Sequence, residues 1–136
     1  MIVTTINAGS TSVRLGAYDA TQAEPRELVR ERHAKPPLDA DELLRRFTSR
    51  LDGAKLAAVA HRVVHGGTVF VEPVVIDEGV HRRLGELSDL APLHNPVALA
   101  WIDAARRAFA PSIKQIAVFD TAFFADLPAH AAHSIW

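Results

Sequence analysis

Residues 2–7 are β-branched apart from Asn7, the composition of a buried strand. A cluster of small residues, Ala8-Gly9-Ser10-Thr11, then marks a turn. Strict alternation follows over residues 12–18. Val13, Leu15 and Ala17 fall on one side, and Ser12, Arg14 and Gly16 on the other. The chain is thus expected to open with strand, turn and strand. Leu28 to His33 fits a third strand or a short helix, ended by Pro36-Pro37. Asp39 or Asp41 can cap a helix running to about Leu51, with Leu43, Leu44, Phe47 and Leu51 on one face.

After Asp52-Gly53, the Ala- and Val-rich run from Lys55 to Val64 reads as a buried strand, and Val74 to Ile76 as a short one. Asp77 to Leu87 has helical spacing at Val80, Leu84 and Leu87. Asn95 and Pro96 suit the cap and first turn of a helix reaching about Phe109, and Lys114 to Phe119 is a strand ending on Asp120. Strands and helices mix, with at least one βα crossover, so the expected class is α/β in one domain, residues 1–136.

Composition narrows the chemistry. Fifteen Lys and Arg against sixteen Asp and Glu give a net charge of −1, without the basic excess of a nucleic-acid binder. The chain has no cysteine, hence no disulfide frame, thiolate nucleophile or cysteine metal site. Seven histidines remain as acid–base or ligand candidates. The first residues lack a basic region ahead of the apolar ones, and the longest apolar stretch, Val97 to Ile102, is too short to span a membrane. The expected location is cytoplasmic.

Four segments carry candidate chemistry. In Asn7-Ala-Gly-Ser-Thr-Ser-Val-Arg14 the backbone N–H groups of a small-residue turn, the hydroxyls of Ser10 and Ser12, and the Arg14 charge suit an anion, although a hydrophilic hairpin has the same pattern. In His61-Arg-Val-Val-His-Gly-Gly67 a strand leads Arg62 toward two glycines, and its guanidinium can hold a carboxylate or phosphate. His61 and His65 share a strand face at about 13 Å, too far for one metal ion. Asp120 in Phe119-Asp-Thr-Ala-Phe123 stands at the carboxyl end of a strand, where open α/β sheets place ligands. Ala91-Pro-Leu-His-Asn-Pro96 reads by itself as a helix entry containing His94.

Together and in this order, NAGSTSVR, HRVVHGG, APLHNP and FDTAF resemble the acetate kinase family, the acetate, propionate and butyrate kinases. That family belongs to the superfamily holding actin, sugar kinases and heat-shock ATPases. The resemblance runs through nearly the whole chain and is weakest over residues 20–50. It implies a ribonuclease H-like mixed sheet flanked by helices, one partial domain of a two-domain kinase. The reaction it implies transfers the γ-phosphoryl group of ATP, with Mg²⁺, to a short-chain carboxylate such as acetate.

By the same resemblance Asn7 lies near Mg²⁺ and the phosphates, as a metal ligand, and Ser10 and Ser12 are phosphate-loop serines. Arg14 stands where the family usually has Lys, and Phe124 where it commonly has His. Arg62 binds the carboxylate or the transferred phosphoryl group, Val64 and Leu93 line the acyl pocket, and His94 and Asp120 are catalytic. The family's GFHGTSH-type segment and adenosine-binding loop are not among these 136 residues.

Three expectations follow: a kinase fragment inactive alone, one half of a split kinase, or a non-catalytic binding module. Residues facing a missing C-terminal half would form an exposed apolar patch, giving self-association. The expected partners are ATP and a short-chain carboxylate, with no nucleic acid and no membrane.

Overall fold

A computed structural model describes residues 1–9, 11–34, 39–63, 72–88 and 95–119. The opening pair of strands forms as the alternation predicts: β1 (Ile2–Ala8) and β2 (Ser12–Asp19) pair antiparallel from Ile2↔Asp19 to Ala8↔Val13. The Gly9 N–H donates to the Ser12 carbonyl at 2.8 Å and closes the hairpin. β3 (Arg26–Ala34) resolves the strand-or-helix ambiguity as a strand at the sheet edge, antiparallel to β2. Its alternating polarity, with Val29 packing inward, fits only a period of two.

Helix α1 (Ala40–Thr48) starts where the Asp39 carboxylate accepts the Glu42 N–H at 2.8 Å. It is three residues shorter than the pattern suggested. The Arg50 and Leu51 N–H groups bond the Phe47 and Thr48 carbonyls, so the chain tightens there, while Leu51 still packs against the core. A single 3₁₀ turn over Gly53–Lys55 leads into β4 (Leu56–Val63). β5 (Val74–Val75) is brief. Helix α2 (Glu78–Ser88) begins after Asp77, whose carboxylate accepts the Val80 N–H at 2.8 Å. Helix α3 (Asn95–Ala108) includes Asn95 rather than following it as a cap, and β6 (Lys114–Phe119) closes the set.

The six strands form one mixed sheet in the order β3-β2-β1-β4-β6-β5. β1, β4 and β6 are mutually parallel, and the remaining pairs are antiparallel. The β3-to-β4 connection carries α1, and the route from β4 to β6 carries α2 and α3. The mixed α/β class inferred from the sequence is therefore the class of the protein.

The two faces of the sheet differ. On one, Ile2, Ile6, Val13, Leu15, Ala17 and Val59 meet Leu43, Leu44 and Phe47 of α1 and Trp101, Ala104 and Ala105 of α3. The same face continues through Val63, Ala117 and Phe119 to Leu84 of α2 and Ile102 of α3. All three described helices lie on this side. The other face carries a small apolar cluster, Ala60 and Val118 with Val3 and Ile116, and beside it a row of polar side chains.

The exposed apolar patch anticipated for an interface is not found among the described residues. Their exposed large apolar side chains are Met1, Leu28 and Val75, and the last two sit on β3 and β5 at opposite sheet edges. The helices cover the apolar face, and arginines occupy much of the other.

Candidate functional site

The parallel strands bring two of the sequence motifs together. Asn7 is the penultimate residue of β1 and Arg62 the penultimate residue of β4. In the parallel register Ile6 pairs with His61, so the next residues along, Asn7 and Arg62, stand side by side on the face without described helices. The Arg62 Nη1–H points at Asn7 Oδ1 at 3.4 Å, a long contact between half-buried groups. Segments 55 residues apart thus meet at the carboxyl ends of adjacent parallel strands, where α/β sheets bind ligands.

Antiparallel pairing extends this row. Arg14 of β2 lies directly opposite Asn7, and Arg32 of β3 directly opposite Arg14. Arg62 pairs with Val118 on β6, two residues before Asp120. A transverse line of Arg32, Arg14, Asn7, Arg62 and Val118 therefore crosses five strands on one face. Ser12, at the start of β2, is half-buried beside the turn. Of the residues singled out in the sequence, Asn7, Ser12, Arg14 and Arg62 are brought to this end of the sheet. Ser10, Val64, Leu93, His94 and Asp120 lie outside the described residues.

His61 points to the opposite, helix-covered side. It is 1% exposed, and its Nε2–H donates to Gln115 Oε1 at 2.7 Å, tying β4 to β6 beneath Arg62. Burial lowers its pKa from 6.5 to about 4, with the Gln115 hydrogen bond acting the other way, so the ring is neutral at pH 7. Its Nδ1 has no hydrogen-bond partner, nor does Thr4 Oγ1 on the same face of β1. The spacing of His61 and His65 argues against a shared metal ion, and the structure makes His61 a core residue.

Sequence reasoning missed Tyr18, Gly16 and Arg32. A Cβ at Gly16 would stand 2.8 Å from Thr5 Oγ1 and 2.9 Å from the Tyr18 ring, so the glycine lets the ring lie over the strand. Tyr18 is 5% exposed, and its hydroxyl pKa is raised by burial and by the Glu27 charge, against the contribution of Arg30. A cavity of about 340 Å³ opens over this stretch, bordered by Asn7, Arg14, Gly16, Tyr18, Arg30 and Arg32. The signal available in the sequence was the glycine set in the polar phase of an alternating strand.

As a cation site the row is sparse. Among the described residues no group of three His, Asp or Glu side chains could hold a metal ion. Asn7 Oδ1 offers one neutral, hard oxygen donor, which fits Mg²⁺ only as a minor protein ligand to an ion bound mainly by water and phosphate.

This is an α/β domain that gathers amide and guanidinium groups at one end of its sheet, and the solved structures it resembles include acyl kinases. A propionate kinase from Francisella tularensis subsp. tularensis SCHU S4 superposes with a TM-score of 0.73 at 26% identity, over 95% of this chain and 39% of that one. Acetate kinase from Porphyromonas gingivalis does so with a TM-score of 0.69 at 28% identity, over the same shares. The curated acetate kinase of Clavibacter sepedonicus is 60% identical over 74 residues, 54% of this chain and 18% of the relative. Residues 37–134 match the family described as the Acetokinase family. The chain belongs to the acetokinase family. RuvC from T. thermophilus shares the fold, with a TM-score of 0.55 at 16% identity over 99% of this chain.

The matched parts span less than a fifth of the curated Clavibacter relative and 39% of the two solved kinases. No helix among the described residues is long and apolar enough to cross a membrane.

Proposed function

We propose that this chain forms one wall of a phosphotransferase site that moves the γ-phosphoryl group of ATP to a short-chain carboxylate such as acetate, giving an acyl phosphate. The observation that supports the reading is the meeting of Asn7 with Arg62, from the phosphate-turn and HRVVHGG segments, at the carboxyl ends of β1 and β4. Family membership supports the reaction class.

Phosphoryl transfer depends on positioning and on neutralising charge more than on covalent help. A carboxylate and a triphosphate repel, and a planar guanidinium can grip either oxyanion in a bidentate fork. In this reading Arg62 holds the carboxylate or the transferring group. Arg14, with Ser10 and Ser12, meets the phosphates, and Val64 and Leu93 shape the acyl pocket. Mg²⁺, arriving on ATP with Asn7 Oδ1 as one protein oxygen, would add charge neutralisation. Acetate is already ionised at neutral pH, so no base is needed to make the nucleophile. Asp120 then acts through orientation and charge, with His94 near the transferring group. A cytoplasmic setting accords with ATP as co-substrate, and residues 1–136 correspond to one domain of a two-domain kinase.

The second reading is a wall that binds without turnover, alone or awaiting a second kinase half. Acyl phosphate trapped as a hydroxamate separates the two. Mg²⁺-dependent product from ATP and acetate, lost in Arg62→Ala, is expected of the kinase. Acetate-induced amide shifts at Asn7 and Arg62 without product indicate the binding wall. A chain in which neither acetate nor MgATP shifts those amides overturns both.

A further inference from the structure

We propose that Thr4, His61 and Gln115 form a polar brace on the helix-covered face of the sheet that positions Asn7 and Arg62 on the other. The inference deepens the phosphotransfer reading and, for its effect on acetate, rests on it.

The three residues stand on the three parallel strands and are all buried, at 0%, 1% and 7% exposed. Thr4 of β1 lies directly opposite Val59 of β4, and Val59 directly opposite Gln115 of β6. His61, two residues on from Val59, faces the same side. It thus stands one step along the middle strand, with Gln115 on one neighbouring strand and Thr4 on the other. The link to Gln115 is made, by the Nε2–H donating to Oε1 at 2.7 Å. With the proton on Nε2 and the ring neutral, Nδ1 is an acceptor. Among the described residues, that acceptor and the Thr4 hydroxyl are the buried side-chain polar atoms without a hydrogen-bond partner. Their backbones lie one diagonal step apart, about 8 Å from strand spacing and rise. That separation suits one bound water, donating to Nδ1 and accepting from the Thr4 Oγ1–H.

A brace of this kind is not what holds the core together. Around it the same face is apolar, with Ile6, Val59, Val63, Ala117 and Phe119. Buried polar groups can be replaced by apolar side chains of similar volume without loss of stability. What they add is direction, because a hydrogen bond holds one geometry where apolar contacts tolerate sliding. The brace lies directly behind the candidate site. His61 is the residue before Arg62, and Thr4 and Gln115 each lie three residues before a member of the open-face row, Asn7 and Val118. Movement of β4 past its neighbours would carry Arg62 from Asn7, where the contact is already long at 3.4 Å.

Nuclear magnetic resonance of the whole 136-residue chain tests this. At pH 7 the parent is expected to show the Nε2–H tautomer of His61, with the nitrogen shift of a hydrogen-bonded acceptor at Nδ1. Thr4→Val keeps the side-chain shape and should move that shift to the value of a bare acceptor. His61→Leu combined with Gln115→Leu should keep or raise the denaturant midpoint. In the same double variant the Arg62 Nε–H should become more mobile, and acetate, read at the Arg62 amide, should bind about ten-fold more weakly. His61→Gln retains a donor for Gln115 and should bind acetate as the parent does. A role in stability alone would instead make affinity follow the midpoint. Parent-like Arg62 mobility and acetate affinity in the double variant overturn the proposal. So does an Nδ1 shift that Thr4→Val leaves unchanged, a result read whether or not the double variant folds. If the parent binds no acetate, the phosphotransfer reading loses its support, and the brace is decided by the Nδ1 shift and the Arg62 mobility.

Discussion

One face of this sheet is packed under helices, and the other carries a polar row without described helices over it. On the helix-covered face Phe47, Leu44, Ala104 and Ala105 are wholly excluded from water, and burying an aliphatic or aromatic side chain stabilises by about 1.5–3 kcal/mol. On the opposite face Arg32, Arg14, Asn7 and Arg62 stand in a row that contributes little such burial. The strands are shared, so each alternates between a residue that faces the helices and one that faces the other side. A substitution should report its face by what it damages.

The largest effect is expected at Phe47, where α1 meets the β1–β2 sheet and α3. Phe47→Ala removes a ring that is 0% exposed, and should lower unfolding free energy by about 3–5 kcal/mol in denaturant titration. A loss below about 1 kcal/mol would erase the distinction between the faces.

His61 comes next, because it is a titratable group on the apolar face. Its folded pKa, about 4, lies below the 6.5 of an unfolded histidine. Above pH 6.5 both states are neutral and the histidine gives no pH dependence. As pH falls from 6.5 toward 4 the unfolded state binds a proton that the native state refuses, so stability drops, by about 3 kcal/mol in all. Below pH 4 both states are protonated and the loss levels off. Denaturant midpoints in His61→Gln should lose most of the slope between pH 6.5 and 4.5. Unchanged slope would mean that His61 is not buried neutral. Glu31 acts lower. Burial raises its pKa, but hydrogen bonds from His33 and Arg50 and the Arg50 charge outweigh that, so its contribution fades only below the ordinary glutamate value of 4.5.

Gly16→Ala probes the boundary between the faces. The new methyl would meet Thr5 and the Tyr18 ring at under 3 Å, and overpacking of this kind costs about 1–3 kcal/mol. The same change should displace the ring and shrink the cavity. A thermal shift no larger than that of Gly53→Ala, where a methyl meets open space, would show that Tyr18 moves freely. At the end of α1, Asp39→Ala removes the carboxylate that accepts the Glu42 N–H, for about 1 kcal/mol, measurable as a lower denaturant midpoint.

Much of the helix-covered face was legible in the sequence. Period-two alternation identified Val13, Leu15 and Ala17, and helical spacing identified Leu43, Leu44 and Phe47, because both patterns arise from one face meeting apolar neighbours. Boundaries were less legible. Leu51 is apolar and in phase, yet it packs from a turn after α1, since burial needs position and not helical backbone. The site was half legible. Asn7 and Arg62 stood out by their motifs, and their contact depends on a parallel pairing across 55 residues that no local pattern encodes. Arg32 was invisible for a sharper reason. In RELVRERHA it is one charge among several, and only the β2–β3 register sets it against Arg14 rather than against an acid.

The smallest expected effect on stability is the most discriminating. Arg14→Gln and Arg32→Gln each remove one of two opposed positive charges that have no acidic partner among the described residues. Cross-strand pairs are worth roughly 0.2–1 kcal/mol, and like charges act against the fold. Each single change should therefore leave stability within about 0.5 kcal/mol or raise it slightly, most visibly at low salt, where screening is weakest. Once either charge is gone the repulsion is gone, so the double substitution should add little to the single ones. Additive losses in denaturant titrations of the three variants would mean that the arginines stabilise the strands independently, and the open face would then resemble the helix-covered one. The expected result separates the faces by the sign of the effect: the apolar face loses stability when a side chain is removed, whereas the guanidinium row gives up charge at no cost to the fold.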